Sequence, residues 1–456
     1  MTELFIQGEW LAPDGESVHE LIDPATRKRV ESVRSASPDQ RQRALEAAQS
    51  AQNAWSRRSA GERLASIRGV VDEIRQAAGG LAERQAVESG QPLRECQDLA
   101  AAAVRRLRDV AANAELADAV PAHATAANAG PVHATPANAG PACAEPMDAR
   151  RITPEEAGVQ VLQVRPGALW PCWQCALSAI AGGSTIVCKL PANQALTSMA
   201  IARCAHQLPP GVLNVVTVDS DEQPATDTAT EFVFVGQDCY LDVAVAGAAT
   251  LRLYNTGQRT GHSTRIHVEA SLAYKFADRL HEYLAFLEAG DPHKPITDLG
   301  PLLDERTLQT ATERLAGALK RGAMVKLGGR EYQPWGLRGY FLQPTLLVEG
   351  VGSERVPHES IPGPVVIVSP TADIGAALRE SVGKNHGPLR LSAFTGQADK
   401  LDRSLRAAAF TLRASAYLPL VERGWARGTT NTLDVELLQG PQSDWFPYKN
   451  RRGLQL

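Results

Sequence analysis

Apolar and polar positions alternate with two different periods along this chain, and the change of period divides it. Near the start, Phe5-Ile6-Gln7-Gly8-Glu9-Trp10 alternates around a turn-forming glycine and predicts a short hairpin, with Asp23-Pro24-Ala25-Thr26 as a turn after it. Ser37-Pro38-Asp39 reads as a helix start: a capping serine, proline at the first position, an acid in the first turn. The helix it opens carries Ala44, Ala48, Ala51 and Trp55 on one side, and a second carries Leu64, Ile67, Val71 and Ile74 at helical spacing. Glu88-Ser89-Gly90-Gln91-Pro92 ends a third helix, and a further one runs to about Leu116.

From Gly158 the pattern becomes strand and helix in alternation. Strands are predicted over Val159–Val164, Ser184–Lys189 and Gly211–Thr217, with helices between them up to Gly183 and from Thr197 to Gln207. That is a βαβαβ run, the minimal half of a doubly wound parallel sheet. Phe232–Val235 and Arg265–Val268 read as further strands, with a helix to Tyr254 between them and an amphipathic helix from Ala273 to Leu287 after them. Residues 122–141 fit neither period. Ala122-His123-Ala124-Thr125-Ala126-Ala127-Asn128-Ala129-Gly130-Pro131 is repeated with two changes over the next ten positions, and such small residues with regular Gly-Pro breaks predict a flexible or polyproline-like linker. His123 and His133 read as solvent-exposed passengers of that repeat.

Composition narrows the function classes. A chain of 456 residues, 44% hydrophobic, can bury two or three cores, and its weak net charge of -4 predicts no nucleic-acid surface. No uncharged apolar run is long enough to cross a bilayer, and Met1-Thr2-Glu3-Leu4-Phe5 has no signal-peptide character, so a cytoplasmic location is expected. Seven scattered cysteines suit reduced thiols. Cys172-Trp173-Gln174-Cys175 has no second pair to complete a zinc site and reads as buried structural thiols. His281-Glu282 and His358-Glu359 both lack the second histidine of a His-Glu-x-x-His helix, so no metal site is expected.

The stretch with the most chemistry is Asn255-Thr256-Gly257-Gln258-Arg259-Thr260. It resembles the active-site loop of the aldehyde dehydrogenase superfamily, Asn-x-Gly-Gln-x-Cys, whose closing cysteine attacks an aldehyde carbon before hydride leaves to a nicotinamide. Ala181 to Ala192 resembles the family's Ala-Gly-Asn-Thr-Val-Val-Leu-Lys-Pro-Ala-Glu, and Leu208 to Val216 matches its Leu-Pro-Pro-Gly-Val-Leu-Asn-Val-Val. Leu299-Gly300-Pro301-Leu302, Phe341 to Leu347 and Glu359 to Val365 resemble three more of its stretches. Leu4 to Trp10 and Gly257 to Arg265 are similar to succinylglutamate-semialdehyde dehydrogenases in particular.

The resemblance implies an α/β chain with the aldehyde-dehydrogenase-like fold: a truncated doubly wound cofactor-type domain over 1–120 and 150–230, and an α/β catalytic-type domain over 231–425. Residues 121–149 would form a low-complexity linker in place of part of the oligomerisation arm, and 426–456 a divergent tail. Carried onto this sequence, the functional positions are altered. Thr260 stands where the nucleophilic cysteine belongs and Pro166 where the oxyanion-steadying asparagine belongs. Lys189 matches the adenosine-ribose lysine, but Ala192 falls at its partner glutamate; Ser360 and Pro362 take the places of the nicotinamide-side glutamate and phenylalanine. Between Asn214 and Asn255 about forty family residues are missing, roughly one βα unit, and the general base and a Gly-Ser phosphate turn go with them.

These changes imply an inactive member that binds no NAD or NADP. It would act as a structural, regulatory or partner subunit beside an active paralogue or a second copy of itself, with no nucleic-acid or membrane partner. Two other readings stay open. One is an active oxidoreductase on aldehydes with a relocated nucleophile, Cys239 or the Cys172/Cys175 pair; the other is a hydrolase using Thr260 with His262 nearby.

Overall fold

The computed structural model describes residues 3–118, 158–164, 169–219, 230–259, 262–350, 360–373, 375, 377, 389–395 and 436–437. The expected linker over 121–149 lies outside the described residues, as do Pro166, Thr260, His358-Glu359 and, apart from 436–437, the tail from 426 on. The chain divides into two compact units, one of 1–23, 28–89 and 96–226, the other of 24–27, 90–95 and 227–456.

The first unit opens with the expected hairpin, β1 (Leu4–Ile6) and β2 (Glu9–Leu11). Gln7 and Gly8 both take positive φ, 57° and 84°, which gives a two-residue turn whose twist matches that of the flanking strands. A second hairpin follows, β3 (Val18–Ile22) and β4 (Arg29–Arg34), around the Asp23–Thr26 turn. Helix α1 (Pro38–Ser56) starts on a full capping box, with Ser37 Oγ accepting from the Gln40 backbone N–H and Gln40 Oε1 accepting from the Ser37 N–H, each at 3.2 Å.

Helix α2 (Ala60–Ser89) runs 30 residues without a break, where the sequence pattern suggests two helices. Gly79 and Gly80 each cost a helix interior roughly 1 kcal/mol against alanine. Beyond them Leu81, Ala82 and Ala86 are buried, and Leu81 alone returns about 2 kcal/mol of burial, so packing carries the helix through. Helix α3 (Leu93–Asp118) follows.

The expected alternation then appears as β5 (Val159–Gln163), α4 (Leu169–Ala181), β6 (Thr185–Pro191), α5 (Ala195–Cys204) and β7 (Leu213–Val218). The sheet order is β2-β1-β7-β6-β5, with β5, β6 and β7 parallel and β1 antiparallel to β7. Among the described residues the parallel part has three strands, and the N-terminal hairpin pairs with the β7 edge. Phe5 pairs with Val215, and the Gln7 N–H donates to Asn214 Oδ1 at 2.9 Å. Helix α1 is fastened to this layer by the Trp55 indole N–H, which donates to the Ile180 carbonyl at 2.9 Å, and by Thr185 Oγ1, which donates to the Ala48 carbonyl at 2.9 Å.

The second unit holds β8 (Thr230–Val235), α6 (Leu241–Leu253), β9 (His262–Glu269), α7 (Ala270–Ala285), α8 (Glu305–Lys320), β10 (Met324–Leu327), β11 (Thr345–Val348), β12 (Val365–Thr371), β13 (Leu389–Phe394) and β14 (Glu436–Leu437). Its sheet has the order β10-β11-β12-β9-β8-β13-β14, all parallel except the edge strand β10. Both faces are buried, and the alternation of side chains shows it. On β12, Val366 and Val368 join one apolar cluster with α6 and α7, whereas Val365 and Ile367 join another with α8. Inside this unit Arg265 and Glu349 form a buried ion pair at 2.8 Å, each side chain 3% exposed.

Glu88, at the end of α2, is buried and caps α5: its carboxylate accepts from the Leu196 and Thr197 backbone N–H groups and from the Thr197 hydroxyl. Burial pushes its pKa up from 4.5 to about 7, against the pull of the Thr197 and Leu196 hydrogen bonds and the Arg84 charge. The native state therefore holds this proton more tightly than the unfolded chain. The stability it contributes is complete below about pH 4.5 and is lost as the pH rises through about 7, up to roughly 3 kcal/mol. Glu88→Gln removes that dependence, so the variant should gain on the wild type between pH 5 and 8. Urea midpoints of both proteins across that range measure the gap; one that stays flat or closes would refute the assignment.

Candidate active site

Helix α6 ends in a short 3₁₀ turn, Tyr254–Gly257, and the backbone there is bent in a way no regular element uses. Asn255 and Thr256 sit at φ 54° and 52°, and Gly257 at φ 71°, three left-handed residues in succession. For the two with side chains this conformation persists only under external constraint, and the constraints are visible. The Asn255 N–H donates to Glu95 Oε2 at 2.8 Å, and the Gln91 side-chain amide donates to the same oxygen at 3.0 Å. Thr256 Oγ1 accepts from the Gly300 N–H at 2.9 Å. Gln258 bridges outward, its amide nitrogen donating to the Pro301 carbonyl at 3.1 Å and its oxygen accepting from the Leu303 N–H at 2.7 Å.

The strongest brace is Arg252, in the last turn of α6 and 1% exposed. Its guanidinium donates to the carbonyls of Gly257 at 2.9 Å, Ile361 at 2.6 Å and Gly363 at 3.0 Å. One cation thus ties the bent loop to the segment carrying Ser360 and Pro362. Position 257 must be glycine, because a Cβ there would lie 2.1 Å from the Gly363 carbonyl oxygen and 2.6 Å from the Arg252 guanidinium. Arg314 donates to the Ser360 carbonyl, which fixes the start of the same segment. The structure therefore brings Ser360 and Pro362 together with the Asn255–Gln258 loop. Thr260 lies just past its last described residue, and of His262 the backbone is described, as the first residue of β9.

The thiols proposed as relocated nucleophiles are poorly suited to attack. Cys172 and Cys175 are buried in the apolar core of α4. Cys239 is half-buried, and burial first, then the Asp238 charge, push its pKa up to about 11. A thiol so held is protonated at neutral pH, and the thiolate is the reactive form. All six cysteines of the described residues are free thiols, and among those residues no group of histidine, cysteine or acidic side chains is arranged to hold a metal ion.

At the other candidate region, in the first unit, Lys189 lies on β6, whose carboxyl end runs on into a 3₁₀ turn over Ala192–Gln194. Counting three residues on from Lys189 reaches Ala192 and finds no polar group. The next residue, Asn193, has its Oδ1 buried with no hydrogen-bond partner among the described residues. An orphaned acceptor at the carboxyl end of a parallel strand is what a ribose hydroxyl satisfies, and such strand ends are where dinucleotides lie in doubly wound sheets. The residues present fit the adenosine end of a nicotinamide dinucleotide. Asn193, Arg252 and Glu95 all escape a reading of the sequence. Arginine at a helix end and glutamate three residues after a proline carry no motif, and only their burial marks them.

Comparison with known proteins agrees with this geometry. The family model described as "Aldehyde dehydrogenase family" matches residues 10–136 and 228–410. The succinate-semialdehyde dehydrogenase (NADP(+)) GabD of Escherichia coli (strain K12) is 26% identical over 404 residues, covering 80% of this chain and 79% of that protein. Betaine aldehyde dehydrogenase of Rhizobium etli (strain CIAT 652) is 26% identical over 451 residues, 91% of this chain and 89% of that one. Among solved structures, the NAD+ complex of an aldehyde dehydrogenase from Bacillus cereus superposes with a TM-score of 0.72 at 20% identity, covering 91% of this chain and 87% of the other. The expectation of no cofactor is corrected by these matches. GabD and the Bacillus cereus complex carry a nicotinamide dinucleotide in their names, and Asn193, next to Ala192, offers the polar group that Ala192 lacks. No particular likeness to succinylglutamate-semialdehyde dehydrogenases emerges among them.

Replacing Arg252 tests the brace. Arg252→Met takes a charged donor from three buried carbonyls, of which Gly363 keeps the Val365 N–H and Gly257 the Gly363 N–H, a loss of about 3 kcal/mol or more, and Arg252→Lys recovers little because a single ammonium nitrogen cannot span the carbonyls that two guanidinium nitrogens reach. Chemical denaturation of both variants measures the loss, and a lysine variant as stable as the wild type would show that charge alone suffices.

Proposed function

Because the chain belongs to the aldehyde dehydrogenase family, we propose that it binds a nicotinamide dinucleotide and does not oxidise aldehydes through a cysteine thiolate, serving as a regulatory or structural partner of an active relative or of a second copy of itself. A cytoplasmic location goes with this reading; among the described residues no helix is long and apolar enough to cross a membrane. One observation carries it: the Asn255–Gln258 loop is fully braced, yet the position it leads to is Thr260, and neither Cys239 nor the Cys172/Cys175 pair offers an activated thiol.

A bound nicotinamide dinucleotide supplies a hydride acceptor. Lys189 and Asn193 would hold its adenosine end. What the chain lacks is the step before hydride loss. A threonine hydroxyl ionises far less readily than a thiol near pH 7, and Pro166, matched to the oxyanion asparagine, has no side-chain donor. The relatives act on semialdehydes and betaine aldehyde by name, so a carbonyl compound of that class is the ligand to try first.

Calorimetric titration with NAD and NADP should give a dissociation constant at or below about 100 μM for one of them, roughly -5.5 kcal/mol. No heat with either would sink the cofactor half of the reading. Thr260→Cys should restore no turnover of succinate semialdehyde, glutarate semialdehyde or betaine aldehyde with either dinucleotide, since groups that act as a unit recover little when one is returned alone. Dinucleotide reduction followed at its near-ultraviolet absorbance, rising above a heat-killed control, would show that the remaining machinery is intact.

A further inference from the structure

Among the described residues, strand β10 is the outer strand of the seven-stranded sheet and pairs with β11 alone, antiparallel, on its inner side. The pairing continues past Gly328 and Gly329. The Gln343 N–H donates to the Arg330 carbonyl and the Tyr332 N–H to the Phe341 carbonyl, both at 3.0 Å, with a bridge between Glu331 and Leu342. Residues 324–332 thus form one ribbon edge, longer than β10 alone, with a bulge between Val325 and Leu327. The returning side of its tip is tied down. The Tyr340 N–H donates to the Pro24 carbonyl at 3.1 Å, the Leu302 N–H donates to the Tyr340 carbonyl at 2.7 Å, and the Arg27 guanidinium lies 4.5 Å from the Tyr340 ring centre.

The outgoing side is left open. Met324 is 55% exposed, Val325 46%, and Trp335, at the tip, 100%. A wholly exposed tryptophan on a fixed tip is expensive in water and is a common anchor in interfaces. Along the same stretch the charge is mostly positive: residues 320–338 hold Lys320, Arg321, Lys326, Arg330 and Arg338 against the single acid Glu331. Of these, Lys326 is engaged with Asp278 at 2.5 Å. This local positive charge stands on a chain of net charge -4.

We propose that the outer edge of the 324–335 ribbon is a docking edge for an extended acidic polypeptide segment of a partner protein, which adds to the sheet as a further strand and packs an apolar residue on Trp335. An open backbone edge presents N–H and C=O groups at the spacing of another polypeptide strand, and alternate side chains then supply selectivity. The basic rim selects acidic side chains. A second copy of this chain would oppose that rim with its own, and a polynucleotide would meet the net negative charge of the whole protein.

The test uses the full chain and a fluorescein-labelled decapeptide of alternating glutamate and valine, with the lysine–valine counterpart and oligothymidylate as competitors. Saturable anisotropy binding of the acidic peptide alone is expected. It should weaken at least about tenfold in Trp335→Ala and in the double variant Arg330→Glu, Arg338→Glu, and fall with added salt. All three residues lie at the surface, so the melting temperature should not move, and that measurement accompanies each variant. Equal binding of the lysine peptide, or acidic-peptide binding that the variants leave intact, overturns the proposal. So does oligothymidylate binding in place of the peptide, or a concentration-dependent dimer in sedimentation that the same variants abolish.

Discussion

The candidate active site depends on a buried cation gathering three carbonyls. Arg252 donates to Gly257, Ile361 and Gly363, and none of the left-handed backbone at 255–257 would persist without such a clamp. A buried guanidinium is costly, and here carbonyl dipoles offset that cost by replacing the water it gives up. The carbonyls in turn belong to residues that cannot sit in regular hydrogen-bond ladders. Cation and strained loop justify each other, and neither would be stable alone.

That interdependence explains what can be read ahead of the structure. Ser37-Pro38-Asp39 announces α1 because capping is a local matter of four residues, and the Leu64, Ile67, Val71, Ile74 stripe announces α2 because burial follows helical period. The βαβαβ order from Val159 to Val218 is equally plain. The same local rules misjudge α2 near Gly79 and Gly80, where distant packing outweighs propensity. They are silent about Asn193, Glu95 and Arg252, whose roles arise from residues far away in sequence. Glu95 meets Asn255 across 160 positions, and nothing in either neighbourhood forecasts the meeting.

The site itself is legible as a pattern and obscure as chemistry. Asn255, Gly257 and Gln258 identify the loop, and each has a structural part in it. Asn255 offers a backbone N–H that Glu95 fixes, position 257 admits only glycine, and the Gln258 amide spans Pro301 and Leu303. These are scaffold roles. The loop's shape follows from these packing contacts inside the unit.

The hairpin of β1 and β2 has a consequence for the order of assembly. It is synthesised well before the edge it must cover, which belongs to β7, and the Gln7 to Asn214 hydrogen bond spans 207 residues. Until β7 is made the hairpin has no strand of the sheet to pair with, although Leu4, Phe5 and Ile6 share their apolar cluster with residues of α1 and α2, which are made earlier. Local helices such as α1 and α2 can form early, but the parallel sheet cannot close its last edge until both ends of a long loop meet, a step of high contact order. This early-made hairpin is therefore among the last parts of its unit to take its place in the sheet.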